Sequence, residues 1–197
     1  MPQGVLYELP LRYKSARQPQ EKLRIAREAA SRVADGWAIG LTGGTTTTEV
    51  ARAVVERREL TIVTNALNIA SELAVRPNLK LVVTGGVARA QSYELVGPIA
   101  EASLEGLNLD MTFLAVDGIS PRAGLTTHHE IEAHTNRALV DRASQVTVVA
   151  DSSKIGKVAF ARICELNRVE ELITDAAADR DALEEIEAAG LQVTVVE

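Results

Sequence analysis

A pair of glycines followed by four threonines is the segment of this sequence best suited to binding an anion. Gly43 and Gly44 follow a short apolar run, and Thr45, Thr46, Thr47 and Thr48 lead into a helical pattern. A turn between a strand and a helix directs backbone N–H groups and the positive end of the helix dipole to one point. With the threonine hydroxyls, these groups can hold a phosphate or a carboxylate. An ordinary helix start capped by threonine is the alternative interpretation.

Polar residues also follow four later strands of the predicted fold. Ligands of open α/β sheets bind outside the carboxyl ends of the strands, so these residues would line one crevice if the strands are parallel neighbours. Turns favour such residues in any case, and each segment alone says little. Together their hydroxyls, amide, carboxylate and lysine suit a phosphorylated sugar or polyol. The segments are Thr64-Asn65, Thr84-Gly85-Gly86, Asp117-Gly118 and Asp151-Ser152-Ser153-Lys154.

Two familiar motifs are absent from the sequence. The glycine–threonine turn lacks the lysine of a nucleoside-triphosphate loop, and no G-x-G-x-x-G follows the first strand, so we predict no nucleotide cofactor. His129 and His134 resemble a zinc-protease helix with one residue too many, and on a helix they would point roughly 140° apart. We therefore predict solvated loop histidines and no metal site. Glu132 and Arg137 fall on a helical stretch, where a solvated charged face is the simplest interpretation.

The elements that must position these residues alternate between strand and helix. The apolar runs are 37–41, 60–64, 79–84, 111–116, 145–150, 171–174 and 192–196, and the helical patterns are 20–33, 47–57, 67–75, 98–107, 130–143 and 178–189. This alternation predicts an α/β fold with a mainly parallel, Rossmann-like sheet and helices on both faces. No linker divides the chain, so we predict a lead-in segment over residues 1–19 and one domain over residues 20–197.

Composition excludes several classes of function. The 197 residues carry a formal charge of −6 and only 3% aromatics, so this chain alone is not expected to bind nucleic acid. The lone cysteine, Cys164, excludes a disulfide framework, fits a reducing cytoplasm and is expected to be a small core residue. No apolar run is long enough to span a bilayer and no signal peptide is visible, so we expect a cytoplasmic protein without membrane contact.

The motifs, in their order along the chain, resemble the C-terminal effector-sensing domain of DeoR-type bacterial transcriptional regulators. The resemblance covers about residues 20–175 and rests on seven motifs that are individually weak. They are Gly44-Thr45-Thr46-Thr47, Val63-Thr64-Asn65, Thr84-Gly85-Gly86, Val96-Gly97-Pro98, Asp117-Gly118, Gly124-Leu125-Thr126-Thr127 and Asp151-Ser152-Ser153-Lys154-Ile155-Gly156. The resemblance implies a fold like that of ribose-5-phosphate isomerase, glucosamine-6-phosphate isomerase and CoA transferases. It also implies a phosphorylated sugar or related metabolite as the effector.

By position, the resemblance assigns the phosphate to the segment Gly44 to Thr47, with Gly43 among the residues that contact the effector. The pocket would be lined, and the effector contacted, by Thr64, Asn65, Gly85, Gly86, Asp117, Glu132 and Lys154. Arg137 also falls on a polar position of the family's Glu-x-x-x-Lys-Arg stretch. The chain departs from the family twice, because Asn136 replaces the lysine of that stretch and Thr42 replaces an acidic residue two positions before Gly44. These departures put the identity of the ligand in question.

DeoR-type regulators carry an N-terminal helix-turn-helix that is not visible in this sequence. The chain is expected to be a sensing-domain fragment rather than a stand-alone relative, and operator DNA would be contacted only through the missing part. The resemblance also implies a homo-oligomer, a dimer or a tetramer. The leading hypothesis is the sensor of a repressor, with no catalytic residues. A sugar-phosphate isomerase using Asp117 or Glu132 as its base is the alternative, and an oligomerisation module with a vestigial pocket is a third option.

Overall fold

The computed structural model describes residues 8–197, and its regular elements follow the predicted alternation closely. The strands are β1 (Ala38–Leu41), β2 (Thr61–Thr64), β3 (Lys80–Val83), β4 (Val87–Arg89), β5 (Glu94–Val96), β6 (Leu109–Leu114), β7 (Gly118–Ser120), β8 (Gly124–Thr127), β9 (Ala143–Val149), β10 (Ala161–Cys164), β11 (Glu171–Asp175) and β12 (Gln192–Val196). The helices are α1 (Leu11–Lys14), α2 (Pro19–Ser31), α3 (Thr45–Ala53), α4 (Leu67–Leu73), α5 (Pro98–Leu104), α6 (Glu130–Val140) and α7 (Arg180–Ala188).

Seven strands form one parallel sheet in the order β12-β11-β9-β6-β1-β2-β3. They are the seven strands that the apolar runs predict, and the α/β class with a mainly parallel sheet is confirmed. The chain runs outward from β1 through β2 to β3, and then returns to place β6 on the other side of β1. The order of the strands therefore reverses between β1 and β6, which is where an open α/β sheet leaves a crevice.

The core lies on both faces of the sheet because side chains alternate along each strand. Ile39 and Leu41 of β1 and Phe113 of β6 pack on one face against α2, α3 and α4. On the opposite face, Leu139 of α6 packs with Val63 of β2. Helices thus cover both faces, as a buried parallel sheet requires.

Two smaller antiparallel sheets were not predicted from the sequence. Strands β4 and β5 form a hairpin, and β10, β8 and β7 form a three-stranded sheet beside the main one. Each of these strands has only three or four residues, so the alternation is too short to be recognised as a strand. Both small sheets lie at the carboxyl ends of the main strands and carry residues of the site described below.

The segment before α2 packs against the domain. The backbone N–H of Leu11 donates to the carbonyl of Gln91 (2.9 Å), and the Leu11 side chain is buried. Residues 1–7 of the predicted lead-in segment lie outside the described residues, and α2 begins at Pro19, one residue before the predicted domain boundary. No helix within residues 8–197 has the length and apolar character needed to cross a membrane.

The two phenylalanines of the chain provide a matched test of this core. Phe113 is fully buried in the centre of the sheet, whereas Phe160 is 82% exposed. Phe113→Ala should lower the free energy of unfolding by about 3–5 kcal/mol because it removes a large side chain and leaves a cavity. Phe160→Ala should change it by less than about 0.5 kcal/mol. Urea unfolding followed by circular dichroism measures both, and equal losses would contradict the described packing.

Candidate functional site

A cleft of about 620 Å³ opens at the carboxyl ends of β1, β6 and β9, at the reversal of strand order. Seven of the predicted site residues line it: Gly43, Gly44, Thr45, Thr46, Asp117, Glu132 and Lys154. The volume lies within the range of small-molecule sites. The cleft is also lined by residues that precede α2, including Lys14 and Arg17, which the sequence did not single out.

The glycine–threonine turn forms the amino-terminal entry to α3. Gly44 is the residue before the helix and has φ +142°, a conformation that side chains rarely adopt. A Cβ at Gly44 would also lie 2.5 Å from the Cβ of Ala115, so the turn passes tightly over the end of β6. Thr45 and Thr46 line the cleft with the first N–H groups of the helix, which have no partners inside the helix.

The hydroxyls of the last two threonines bond to the backbone of the turn and do not line the cleft. Thr47 and Thr48 both donate to the carbonyl oxygen of Gly44, at 3.0 and 2.6 Å, and both side chains are buried. They fix the first turn of α3 by local side-chain-to-backbone hydrogen bonds. The row of four hydroxyls therefore divides into two that line the cleft and two that stabilise its wall.

A carboxyl group lies directly against the turn. The backbone N–H of Gly43 donates to Oε1 of Glu94 (3.1 Å), and Nδ2 of Asn65 lies 3.4 Å from the same oxygen. Glu94 is only 1% exposed, and a Cβ at Gly43 would lie 2.2 Å from its Cγ. The β4–β5 hairpin brings Glu94 here, and because that hairpin was not predicted, Glu94 was missed.

Glu132 joins Glu94 to the rest of the cleft. It accepts hydrogen bonds from Oγ1 of Thr127 (2.6 Å) and from Nη1 of Arg89 (2.5 Å), and Arg89 also pairs with Glu8 (2.6 Å). Glu132 is 6% exposed, so the simplest sequence interpretation of it as a solvated residue was wrong. Burial and the neighbouring charge of Glu132 raise the pKa of Glu94 well above its ordinary value.

Asp117 is the most heavily paired carboxylate of the cleft. Its Oδ1 lies 2.8 Å from Nζ of Lys14 and 3.8 Å from Nζ of Lys154, and its Oδ2 accepts from Thr127 (3.1 Å). Nε2 of His128 lies 3.9 Å from Oδ2. Burial opposes ionisation of Asp117, but the charges of Lys14, Lys154 and His128 outweigh it and lower the pKa.

Lys22 fastens the residues before α2 to the cleft. Its Nζ donates to the carbonyl oxygens of Lys14 (2.7 Å) and Arg17 (2.5 Å) and lies 3.9 Å from Oδ2 of Asp151. Burial and the nearby charges of Lys154 and Lys14 lower the pKa of Lys22, against the attraction of Asp151. Lys14 shows the opposite shift, because Asp117, Glu132 and Glu8 outweigh its burial and raise its pKa.

The other five predicted site residues lie outside the cleft lining. The Thr64 hydroxyl donates to the carbonyl of Leu41 (2.7 Å), and Asn65 is buried beneath Glu94. Thr47 supports the turn, as described above. Gly85 and Gly86 follow β3 at the edge of the sheet, two strands from β1, and pack against α5 and β5. Strands lie about 4.8 Å apart, so this edge is remote from the reversal point.

The two departures from the family motif, Thr42 and Asn136, are both buried outside the cleft. The hydroxyl oxygen of Thr42 accepts from the N–H of Ala115 (3.0 Å) and so joins the ends of β1 and β6. Asn136 is 2% exposed on α6 and is not among the residues that line the cleft. Arg137 donates to the carbonyls of Ile163 and Arg162 and ties α6 to β10.

The histidines and the cysteine do not form a reactive site. His129 caps α6 by accepting from the N–H of Ile131 (3.3 Å), and His134 lies within α6, so the prediction of loop histidines was wrong for His134. Over residues 8–197, no cluster of three or more histidine, cysteine or acidic side chains is arranged to hold a metal. Cys164 is buried, which raises the pKa of its thiol to about 11.

The family model for the DeoR C-terminal sensor domain matches residues 17–176. This chain belongs to the DeoR family. The matched region contains every cleft residue described above except Leu9, Leu11 and Lys14, which precede it. The chain is therefore the sensor domain of a DeoR-type transcriptional repressor.

Curated relatives agree with the DeoR assignment. The chain is 36% identical to a putative aga operon transcriptional repressor of Escherichia coli O157:H7, with 93% of this chain and 68% of the relative aligned. It is 40% identical to the HTH-type transcriptional regulator GlpR of Haloferax volcanii, over 89% of this chain and 68% of the relative. It is 31% identical to the glycerol-3-phosphate regulon repressor of Escherichia coli K12, over 85% of this chain and 66% of the relative. All three are named as regulators of transcription.

Solved structures show the same fold at low sequence identity. Ribose 5-phosphate isomerase of Plasmodium falciparum aligns with a TM-score of 0.50 at 15% identity, over 68% of this DeoR-family chain and 51% of the isomerase. A 4-hydroxybutyrate CoA-transferase of Porphyromonas gingivalis aligns with a TM-score of 0.51 at 13% identity, over 88% and 52%. At these identities the likeness concerns the α/β fold alone.

The raised pKa of Glu94 makes a prediction about stability. A carboxyl whose pKa is raised by folding binds its proton more tightly in the folded protein, so stability falls as pH rises above the ordinary value of 4.5. Glu94→Gln should remove this part of the pH dependence and make the domain more stable than the parent at high pH. Denaturant unfolding from acid to alkaline pH measures it. Glu105→Gln, at an exposed position, is the control and should keep the parental slope.

Proposed function

We propose that the cleft binds a phosphorylated sugar or polyol and that this metabolite is the effector of the sensor domain. The observation that carries the proposal is the meeting of the amino terminus of α3 with Lys14, Lys154 and the carboxylates Asp117 and Glu132. Helix N–H groups and lysines attract a phosphate, while carboxylates accept hydrogen bonds from sugar hydroxyls. A ligand with one anionic end and several hydroxyls can bind the helix N–H groups and lysines at one end and the carboxylates at the other.

The charges of the cleft favour an anion. Five basic side chains line it against four carboxyls, of which Glu94 has a strongly raised pKa. The raised pKa disfavours the charged form of Glu94, which adds to the excess of basic groups. The basic residues are Lys14, Arg17, Lys22, Lys154 and Lys157, and the carboxyls are Glu94, Asp117, Glu132 and Asp151. The name of one relative, a repressor of a glycerol-3-phosphate regulon, supports a phosphorylated polyol.

Calorimetry with a panel of ligands tests this proposal. Glycerol 3-phosphate, ribose 5-phosphate and glucosamine 6-phosphate are compared with their unphosphorylated counterparts. We expect at least one ester to bind and its unphosphorylated counterpart not to bind. Lys154→Ala should weaken binding roughly 10- to 100-fold, because it removes a charged hydrogen bond. Thr45→Ala should weaken it by roughly 2- to 10-fold, because the lost hydrogen bond is neutral on the protein side.

Matched controls lie at the opposite end of the sheet. Lys80 and Thr61 begin β3 and β2, so Lys80→Ala and Thr61→Ala should leave binding unchanged. If no ester binds to the parent, or if the control variants lose as much affinity as the cleft variants, the cleft is not the effector site.

The residues before α2 contact the cleft and provide a route by which the effect of ligand binding is transmitted to the rest of the intact repressor. Lys14 reaches Asp117 in the cleft, Gln18 donates to the Ser152 hydroxyl (3.0 Å), and Lys22 holds the connecting backbone. An effector phosphate near Lys14 would share this cation with Asp117. We infer that occupancy of the cleft changes the position of residues 8–18, and that this change passes to the DNA-binding part of the intact repressor.

Hydrogen exchange measures this coupling directly. The bound ester should slow amide exchange over residues 11–18, because it adds a second anionic partner for Lys14. Lys14→Met should abolish that change while the turn at residues 43–46 still gains protection. Unchanged exchange over residues 11–18 at saturating ester would contradict transmission through this segment.

The surroundings of Asp117 disfavour the isomerase alternative. A base that abstracts a proton next to a carbonyl works best with a pKa near the working pH, whereas the cations around Asp117 lower its pKa. We propose binding without turnover. Conversion of ribose 5-phosphate that is lost in Asp117→Asn would reverse this ranking.

A further inference from the structure

Glu94 lies in the wall of the cleft that the proposed function assigns to the phosphate. Its Oε1 accepts the N–H of Gly43, the first residue of the glycine–threonine turn, at 3.1 Å. The side chain is almost completely buried and yet lines the cleft. A phosphate held at the start of α3 would therefore lie beside this carboxyl.

Among residues 8–197, no cationic side chain pairs with Glu94 alone. On α6, Glu132 faces it, and the Arg89 guanidinium on β4 is shared between Glu132 and Glu8. From α1, Lys14 pairs with Asp117, which also has Lys154 and His128 nearby. The remaining neighbours, Ser92, Asn65 and the Gly43 N–H, are neutral.

This arrangement favours the protonated form of Glu94. Glu132 already accepts hydrogen bonds from Arg89 and Thr127. Glu94 has neutral donors and an anionic neighbour, so its neutral form is favoured, and burial together with Glu132 raises its pKa well above the ordinary value. A neutral carboxyl has one O–H donor and still accepts through its carbonyl oxygen. It can donate to Glu132 while it accepts from Gly43.

We propose that Glu94 is a selectivity residue of the effector site and that a doubly charged phosphate ester binds only while Glu94 carries its proton. The inference rests on the proposed function and deepens it, because it makes binding consume a proton whenever Glu94 is ionised beforehand. An ionised Glu94 would place a negative charge against the phosphate in a site partly screened from water, where like charges repel strongly. The proton on Glu94 thus sets the charge of ligand that the turn accepts.

The consequence is a pH dependence of affinity with a defined sign. At pH values below the pKa of Glu94, this group does not change the affinity for the ester. At pH values above that pKa, the affinity falls by up to about tenfold for each pH unit, because binding must then take up a proton. Glu94→Gln keeps the shape and both hydrogen-bonding functions but has no charge at any pH. The affinity of this variant for an ester should therefore show no pH dependence that arises from position 94.

The experiment compares parent and Glu94→Gln by calorimetry across roughly pH 5 to 9, above the ordinary pKa of a glutamate. The probes are glycerol 3-phosphate and inorganic sulfate. The ester itself titrates near pH 6, but that contribution is the same for both proteins and cancels in the ratio of affinities. Sulfate does not titrate in this range. Repeating the titrations in two buffers of different ionisation enthalpy counts the protons taken up. Glu105→Gln, at an exposed position, serves as the control variant.

We expect the ratio of affinities, Glu94→Gln over parent, to rise with pH for both probes, and only the parent and the control to take up a proton. Equal pH profiles for parent and Glu94→Gln, with binding intact in both, would overturn the role of Glu94 and leave the proposed function standing. Absence of binding of both probes to both proteins at every pH would overturn the role of Glu94, and absence of binding of every ester in the calorimetry panel would overturn the proposed function as well.

Discussion

The charge of Asp117 holds together parts of the chain that are far apart in sequence. It follows β6 at the point where the strand order reverses, and it pairs with Lys14 from the segment before α2 and lies near Lys154 from the loop after β9. Thr127 of the small antiparallel sheet donates to the same carboxylate. A buried charge is tolerated only when it is paired and hydrogen-bonded, so each of these contacts depends on the others. The cleft lies at the gap that the sheet leaves there, and the ion pairs and hydrogen bonds of Asp117 hold the surrounding segments at its edge.

The same network places two different chemistries within one cleft. The start of α3 and the lysines provide positive charge, while Asp117, Glu132 and Glu94 provide carboxyl groups within the same cleft. A purely basic site would bind any anion, and a purely acidic site would repel phosphates. The mixture favours a molecule with an anionic end and a hydroxylated end, which is consistent with the sensor role that the family assignment gives to the domain.

The seven parallel strands and their helices could be predicted from sequence because long apolar runs and amphipathic periods depend on neighbouring residues alone. Six of the seven predicted residues that line the cleft follow β1, β6 or β9, whereas the seventh, Glu132, was predicted from the family resemblance. Gly85 and Gly86 follow a strand in the same way, but strand order places β3 at the edge, and order is not encoded in local pattern. Glu94 and Lys14 were missed because a short hairpin and a segment before the domain bring them in, and neither has a periodic signature. Lys22 was missed although its helix was predicted, because helical periodicity does not show that a lysine is buried. The likeness to DeoR sensors supplied the rest of the prediction.

The Glu94 side chain fills the space beside Gly43 that any larger residue at position 43 would need. A methyl group at Gly43 would overlap the Cγ and the carboxyl carbon of Glu94, at 2.2 and 2.4 Å. The two positions, 51 residues apart, are therefore bound to change together. A chain with a shorter residue in place of Glu94 could accept alanine in place of Gly43, whereas a chain that keeps the glutamate must keep the glycine. The pair is a steric signature that can be read from sequence, and it separates sensors with a carboxyl beneath the turn from sensors without one.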